Sequence, residues 1–332
     1  MYTGKDTIDW LYTEQLQVDR EWSVETERGF RWWPDDHAQT VEILGEVHGP
    51  AGEKGYYISV RTELFKAPNL GADALEAVNK NLMTVASMSG PVYDRDRGAL
   101  DLCSYALVHE DNYRWINILL NVAAALQIYE ARKLGGNFCD FGMENAVSGH
   151  PQNGIRKKRE EITTRIPSLI RPTGQLPSRW RDYEFQKVAD FMNFIPPTLM
   201  ASAGGPGLSA EFPFDTFSSL CTMVAYQPHP LYGNGLLVTH RFPVSGKKKD
   251  REKWILKALS LNEPVVSPLP AGYGFGSYLF EDGMIVHAAF FPNIIYGPGL
   301  LQNLFFSSGA RGMAMNTALA GKSAAVRKKK AP

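Results

Sequence analysis

The sequence predicts an α+β protein of two pseudo-repeats, each a mainly antiparallel sheet packed by two helices in the order strand, strand, helix, hairpin, helix. Three observations predict it. Strand-like alternation broken by Gly and Pro occurs twice, in "FRWWPDDHAQTVEILGEVHGPAGEKGYYISVRTELFKAP" and in "AEFPFDTFSSLCTMVAYQPHPLYGNGLLVTHRFPVSG". Landmarks recur inside the two stretches: Trp33-Pro34-x-Asp36 is echoed by Phe212-Pro213-x-Asp215, and Pro50 and Gly55 return 180 residues later as Pro230 and Gly235. Both stretches are then followed by the same succession of element types.

Each element follows from local pattern. "GYYISVR" and "GLLVTHR" share a glycine, three apolar residues, a hydroxyl residue, a variable position and an arginine, Arg61 and Arg241. "ADALEAVNKNLM" and "DREKWILKALSL" carry apolar residues at helical spacing. Strand pairs follow, "GPVYDRD" with "ALDLCSYALVH" and "FGSYLFED" with "MIVHAAFFP". Arg97-Gly98 and Asp282-Gly283 mark their turns, and Asp-Gly is a strong hairpin signal. Apolar helices close each half, "YRWINILLNVAAALQIYEARKL" and "GPGLLQNLFFSSGARGMAM".

The expected organisation is a first repeat with an N-terminal extension over 1–140, a linker over 141–185, a second repeat over 186–320 and a basic disordered tail over 321–332. The linker region, rich in Gly, Pro, Asn and charge, reads as partly irregular.

Composition narrows the function. Apolar residues make up 44% of the 332 residues, enough to fill a core. Lys+Arg and Asp+Glu are both 35, so no overall field draws nucleic acid or anionic membrane, and neither is an expected partner. Cys103, Cys139 and Cys221 are few and scattered, which fits neither a zinc site nor a disulfide framework and points to a reducing cytosol. The apolar run Trp115 to Tyr129 is too short to span a bilayer and contains Asn117, Asn121 and Gln127.

Motifs for chemistry are few. A phosphate loop needs glycines that follow a strand and open a helix. In "QPHPLYGNGLLV" and "AGYGFGSY" the glycines precede strand-like runs instead. The seven histidines show no HxH, HExxH or HxxxH pair, so no metal site is expected. His109, Glu110 and Asp111 could serve as acid and base, but Asp111 or Asn112 directly before an apolar helix reads as its cap. No GxSxG elbow is present, and Cys103 and Cys221, flanked by apolar strand residues, should be buried and unreactive. "DRDRG" reads as a self-neutralising hairpin tip, and the basic runs at Arg156–Glu160, Lys247–Lys253 and Arg327–Lys330 as solvated faces. No catalytic, cofactor-binding or metal-ligating residue is assigned, and no cofactor is expected.

The first half, through "GYYISVRTELFK", "LGADALEAVNKNLM" and "GALDLCSYALVHEDNYRWINILLNVAAALQIYEA", resembles the type III secretion chaperone-like fold shared by YbjN-type bacterial proteins. Glu211 to Met315 looks like a diverged copy, so the resemblance covers roughly two-thirds of the chain. It implies a cytoplasmic bacterial protein that acts without catalysis, pairs as a dimer or covalent pseudo-dimer, and holds extended segments of a client protein.

The expected function is therefore protein binding in a chaperone-like or accessory role, by a pseudo-dimeric monomer or a homodimer. Large aromatics are the candidate partner contacts: Trp32, Trp33, Tyr56, Tyr232 and Tyr296. Two alternatives stand beside it. One is an enzyme whose site assembles between the repeats from Asp36, Arg61, His109, Glu110, Arg241 and His287. The other is a binder of an acidic partner through the basic clusters.

Overall fold

The computed structural model describes residues 2–320 apart from 49–53, 68, 86, 135–137, 193–196, 203–204, 214–217, 245–249 and 265–272. In the first half, helix α1 (Gly4–Trp10) runs into a π-turn, Leu11–Gln15. Strands β1 (Ser23–Thr26), β2 (Gly29–Trp32), β3 (Gln39–His48) and β4 (Lys54–Lys66) lead to helix α2 (Ala72–Val85). A hairpin of β5 (Gly90–Asp94) and β6 (Ala99–His109), helix α3 (Tyr113–Leu134) and the short β7 (Glu144–Asn145) complete it. The second half holds α4 (Glu161–Gln175), α5 (Asp182–Phe191), β8 (Thr198–Ser202), β9 (Gly205–Pro213), β10 (Ser218–Val224) and β11 (Gly235–Pro243). Helix α6 (Arg251–Leu261), β12 (Tyr273–Gly274), the hairpin β13 (Ser277–Glu281) and β14 (Met284–Pro292), and α7 (Leu300–Ala320) follow.

These strands form two antiparallel sheets of similar plan. The first runs β1-β2-β3-β4-β6-β12, with β5 also on β6 and β7 on β4; the second runs β13-β14-β11-β10-β9-β8. The protein is thus α+β with two similar sheet units. The Asp282-Gly283 turn behaves as its chemistry demands. Both residues have positive φ, 48° and 76°, as a two-residue hairpin loop requires.

The two sheets complete each other. Strand β12 belongs to the second half but pairs with β6, Tyr273 opposite Ala106 and Gly274 opposite Tyr105. In return Ser87 of the first half accepts a hydrogen bond from the Phe290 N–H of β14, at 3.0 Å. Ser87 and Gly274 each lie three residues before their own hairpin, and Tyr105 and Phe290 each lie six residues into its second strand. Helix α2 lies against β13 of the other half, and α6 against β5.

The core follows the same exchange. One buried cluster joins Val60, Ala106 and Leu120 to Leu208, Val238 and Phe290; the other joins Leu64, Val78 and Leu102 to Phe242, Ile255 and Phe280. Under α3 a polar ladder is fully paired: Gln127 donates to Val60 O and Ser104 Oγ and accepts from Thr62, which in turn accepts from Gln39. Burial of these amides is tolerable because each finds partners.

Residues 141–185, expected to be a partly irregular linker, contain α4. Pro167 and Pro172 lie within it, each removing one helical hydrogen bond, which is why the sequence argued against a helix. Ile166 and Ile170, at helical spacing, are buried in the main core and offset that loss.

Candidate functional site

An open sheet edge offers unpaired main-chain groups to another strand, so its protection shows where a partner could add. The β13 edge is sealed. Asn79 on α2 donates to Phe280 O at 2.7 Å and accepts from Phe280 N at 2.8 Å. Asn262, capping α6, accepts from Tyr278 N at 2.7 Å and donates to Tyr278 O at 3.4 Å. Two carboxamides thus take the place of a neighbouring strand. The outer strand of the first sheet, β1, is four residues long and carries exposed Glu25, a charge that discourages strand addition.

Among the described residues the β8 edge has neither guard. Its sequence, TLMAS, is uncharged, four of its five residues are exposed, and among the described residues it pairs only with β9. Pro206 sits opposite Ala201, has no N–H, and gives its carbonyl to Ala225 N. That pair is therefore not hydrogen-bonded. By antiparallel alternation, the main-chain groups of Ala201 and Leu199 point away from β9. Helix α5 packs over β8 and β9 and against α7. At its end Phe191 meets Phe306 of α7 edge to face, centroids 5.7 Å apart, while 61% and 47% of their surfaces remain exposed. Leu199, on β8 itself, is exposed as well.

A second polar feature lies inside, where the halves exchange strands. Glu130 on α3 is buried and accepts from Ser87 Oγ, from Ser89 Oγ at 3.0 Å and from the Tyr232 hydroxyl at 2.8 Å. Burial pushes its pKa up to about 7, against these three hydrogen bonds, which favour the carboxylate. His229 stacks on Tyr232 at 4.7 Å. The stretch that could have been a phosphate loop is thus a turn closed by the bridge between His229 and Gly233, and it feeds β11.

Three of the five aromatics named from the sequence are inside the protein. Trp32 is fully buried because Gln39 accepts from its indole N–H at 3.1 Å. Trp33 is buried with its N–H on Ser148 and its ring edge-on to His150. Tyr232 is buried by its bond to Glu130. None of these three has surface to give a partner. Tyr56 and Tyr296 are half-exposed, Tyr296 held by Tyr183 at 3.2 Å and by the Trp180 ring.

The six residues of the enzymatic alternative occupy separate settings. Arg61 pairs with buried Asp101 at 2.7 Å, and Glu110 accepts from Tyr2 N at 3.2 Å. Asn112, three residues after His109, turns the chain into α3, its side chain accepting from His109 N. His287 is buried opposite His240 across β11 and β14, and burial holds the pKa of both well below the ordinary range, that of His240 at about 3. Arg241 faces Val286 in the same register. Asp36 joins Asp35 and His37 in a group whose ligand atoms lie within 4.8 Å, the one grouping among the described residues with the spacing of a metal site. Burial opposes charge on His37, yet carboxylates 3.3 Å away on both sides outweigh it and raise its pKa, so a protonated His37 offsets one of the two negative charges.

Cys103 and Cys221 are buried, which pushes their thiols up to about 12 and about 11, as the apolar flanks predict; Cys139 is exposed. Arg97 at the hairpin tip bridges Asp94, Asp101 and Glu63. Pro50, Asp215, Lys247–Lys249 and the tail 321–332 lie outside the described residues. Among the described residues no helix is long and apolar enough to cross a membrane.

Sequence reasoning missed Asn79, Asn262, Glu130 and the β8 edge. Glu130 had a visible signal, a lone acid on an otherwise apolar helix run, "AAALQIYEA". The asparagines had none, since their partners are main-chain groups of remote residues. Comparison with protein-family models, with curated proteins and with solved structures finds no match to this chain.

Proposed function

We propose that the protein acts without catalysis and holds an extended, apolar segment of another protein along the β8 edge, in a chaperone-like or accessory role. The observation that carries this reading is the contrast between the edges of the second sheet. One is closed by Asn79 and Asn262, while on the other the main-chain groups of Leu199 and Ala201 point away from β9, and α5, which packs over β8, ends in exposed Phe191 in contact with Phe306. An added strand would gain main-chain hydrogen bonds from β8, and the two phenyl rings would supply an apolar anchor.

On this reading the two halves are diverged copies of one unit and form a covalent pseudo-dimer. The order helix, three strands, helix, hairpin, helix runs through α1, β2, β3, β4, α2, β5, β6, α3 and again through α5, β9, β10, β11, α6, β13, β14, α7. The reciprocal placement of Ser87 and Gly274 supports a two-fold origin, because a symmetric pair makes each contact twice. The type III secretion chaperone-like resemblance agrees with this layout.

The test uses a permanently unfolded probe, reduced and carboxymethylated α-lactalbumin, with binding followed by fluorescence anisotropy. Ala201→Pro removes an outward N–H without touching the β9 ladder. The expected result is binding by the native protein and at least tenfold weaker binding by the variant. Equal affinity, or no binding by the native protein, would refute the edge as the site.

A further inference from the structure

Within β8 only Leu199 and Ala201 turn their main-chain groups outward. Thr198, Met200 and Ser202 direct theirs to Ser209, Gly207 and Gly205 of β9. An added strand therefore meets two N–H and two C=O groups, on residues two positions apart.

The two faces of this edge differ. Residues directly opposite one another share a face, so Leu199 and Ala201 lie on the side of Leu208 and Pro206. On that side Leu208, Ala210 and Phe212 are buried in one cluster with Phe185 and Val188 of α5. Leu199, at the rim, is still 43% exposed, so this apolar face is unfinished at its border. Met200 lies on the other face, with Gly207 and then Ser209, Glu211 and Thr222. The last three are half-buried or exposed, so a polar side chain added beside them keeps its contact with water.

Strand direction joins the two patterns. Every strand pair of this sheet is antiparallel, and antiparallel pairing is the more stable per residue. In that direction the guest residues opposite Leu199 and Ala201 exchange both main-chain hydrogen bonds with them, and their side chains fall on the apolar face. The guest residue between those two points its N–H away from β8 and its side chain to the open face. A parallel guest has the opposite phase: the residue level with Met200 makes the main-chain bonds, while its side chain lies on the open face.

Resting on the strand-binding reading of this edge, we propose that β8 selects an antiparallel segment of alternating character. Two apolar residues, two positions apart, both need a free N–H, and a polar residue or proline is accepted between them. Proline there leaves the ladder intact, because the N–H it lacks would face away from β8.

The probes are end-blocked, fluorescein-labelled heptapeptides of threonine with valine at the third and fifth positions, titrated into the full-length native protein and followed by anisotropy. N-methylation at the third or the fifth position should weaken binding at least tenfold, through one lost hydrogen bond and a clash with β8. N-methylation or proline at the fourth position should change affinity less than about twofold. Lysine should follow the same phase, weakening binding at the third and fifth positions and tolerated at the fourth. Binding that is lost in Ala201→Pro but responds uniformly to N-methylation, or responds only at the fourth position as a parallel guest requires, would overturn this selectivity and leave strand capture standing. Binding that ignores Ala201→Pro, or no binding by any of the peptides, would overturn strand capture and the selectivity with it.

Discussion

Asn79 and Phe280, 201 residues apart in the chain, are joined by two hydrogen bonds of 2.7 and 2.8 Å through which one side chain satisfies both main-chain groups of the other residue. A helix of one half thereby closes the edge strand of the other. The pair ties the halves together and seals β13, so that among the described residues β8 is the unguarded edge of that sheet.

Replacing this side chain should be costly. Asn79→Ala strands the buried N–H and C=O of Phe280, each worth about 1–3 kcal/mol. A loss of about 3 kcal/mol is expected in urea unfolding, and the uncovered edge should promote self-association at high concentration. A loss below about 0.5 kcal/mol would show that the pairing is incidental.

The exchanged strand gives a second test. A Cβ at Gly274 would collide with the Tyr105 ring, so Gly274→Ala should destabilise by about 1–3 kcal/mol through overpacking. In a Tyr105→Ala background the same substitution should cost little, which a double-mutant cycle reads as coupling. Additive effects would place Gly274 elsewhere.

Glu130 should make the seam pH-sensitive. Its folded pKa is raised from 4.5 to about 7, so the native state holds its proton more tightly than the unfolded chain. The stabilisation is complete below pH 4.5 and is lost as pH rises through 7, by about 3 kcal/mol in all. His240 and His287 act in the opposite sense. Their depressed pKa values give stability that is present above the unfolded histidine value and lost on acidification. The glutamate contribution is therefore read as the difference between native protein and Glu130→Gln in urea titrations at pH 5 and pH 8. The native protein should lose stability relative to the variant between these values; a constant difference would contradict the account.

Thiol chemistry should separate the cysteines. Cys139 is exposed, whereas Cys103 and Cys221 are buried with raised pKa values. A chromogenic disulfide at pH 8 should label one thiol in the native protein and three after denaturation. Rapid labelling of more than one native thiol would refute the packing around β6 or β10.

What the sequence made legible is what local chemistry decides. The Asp282-Gly283 turn is specified by two residues that tolerate positive φ, and the buried cysteines by apolar neighbours on the same strands. The two sheet units were visible because their strands carry period-two patterns, as in β11. What stayed hidden depends on remote partners. Trp32 looked like a surface anchor because nothing in its own strand reveals that Gln39 will accept its N–H. Helix α4 was obscured by two prolines whose cost is met by burial of Ile166 and Ile170. The sealed and open edges could not be read at all, since sealing depends on Asn79 and Asn262 meeting main-chain groups of β13.

Hydrogen exchange at single residues tests the central claim most directly. In the free protein the Leu199 and Ala201 amides should exchange rapidly, while those of Tyr278 and Phe280 are protected by Asn262 and Asn79. Saturation with carboxymethylated α-lactalbumin should slow exchange at Leu199 and Ala201 at least tenfold and leave β13 unchanged. Unaltered exchange along β8 in the bound state would contradict strand capture at that edge.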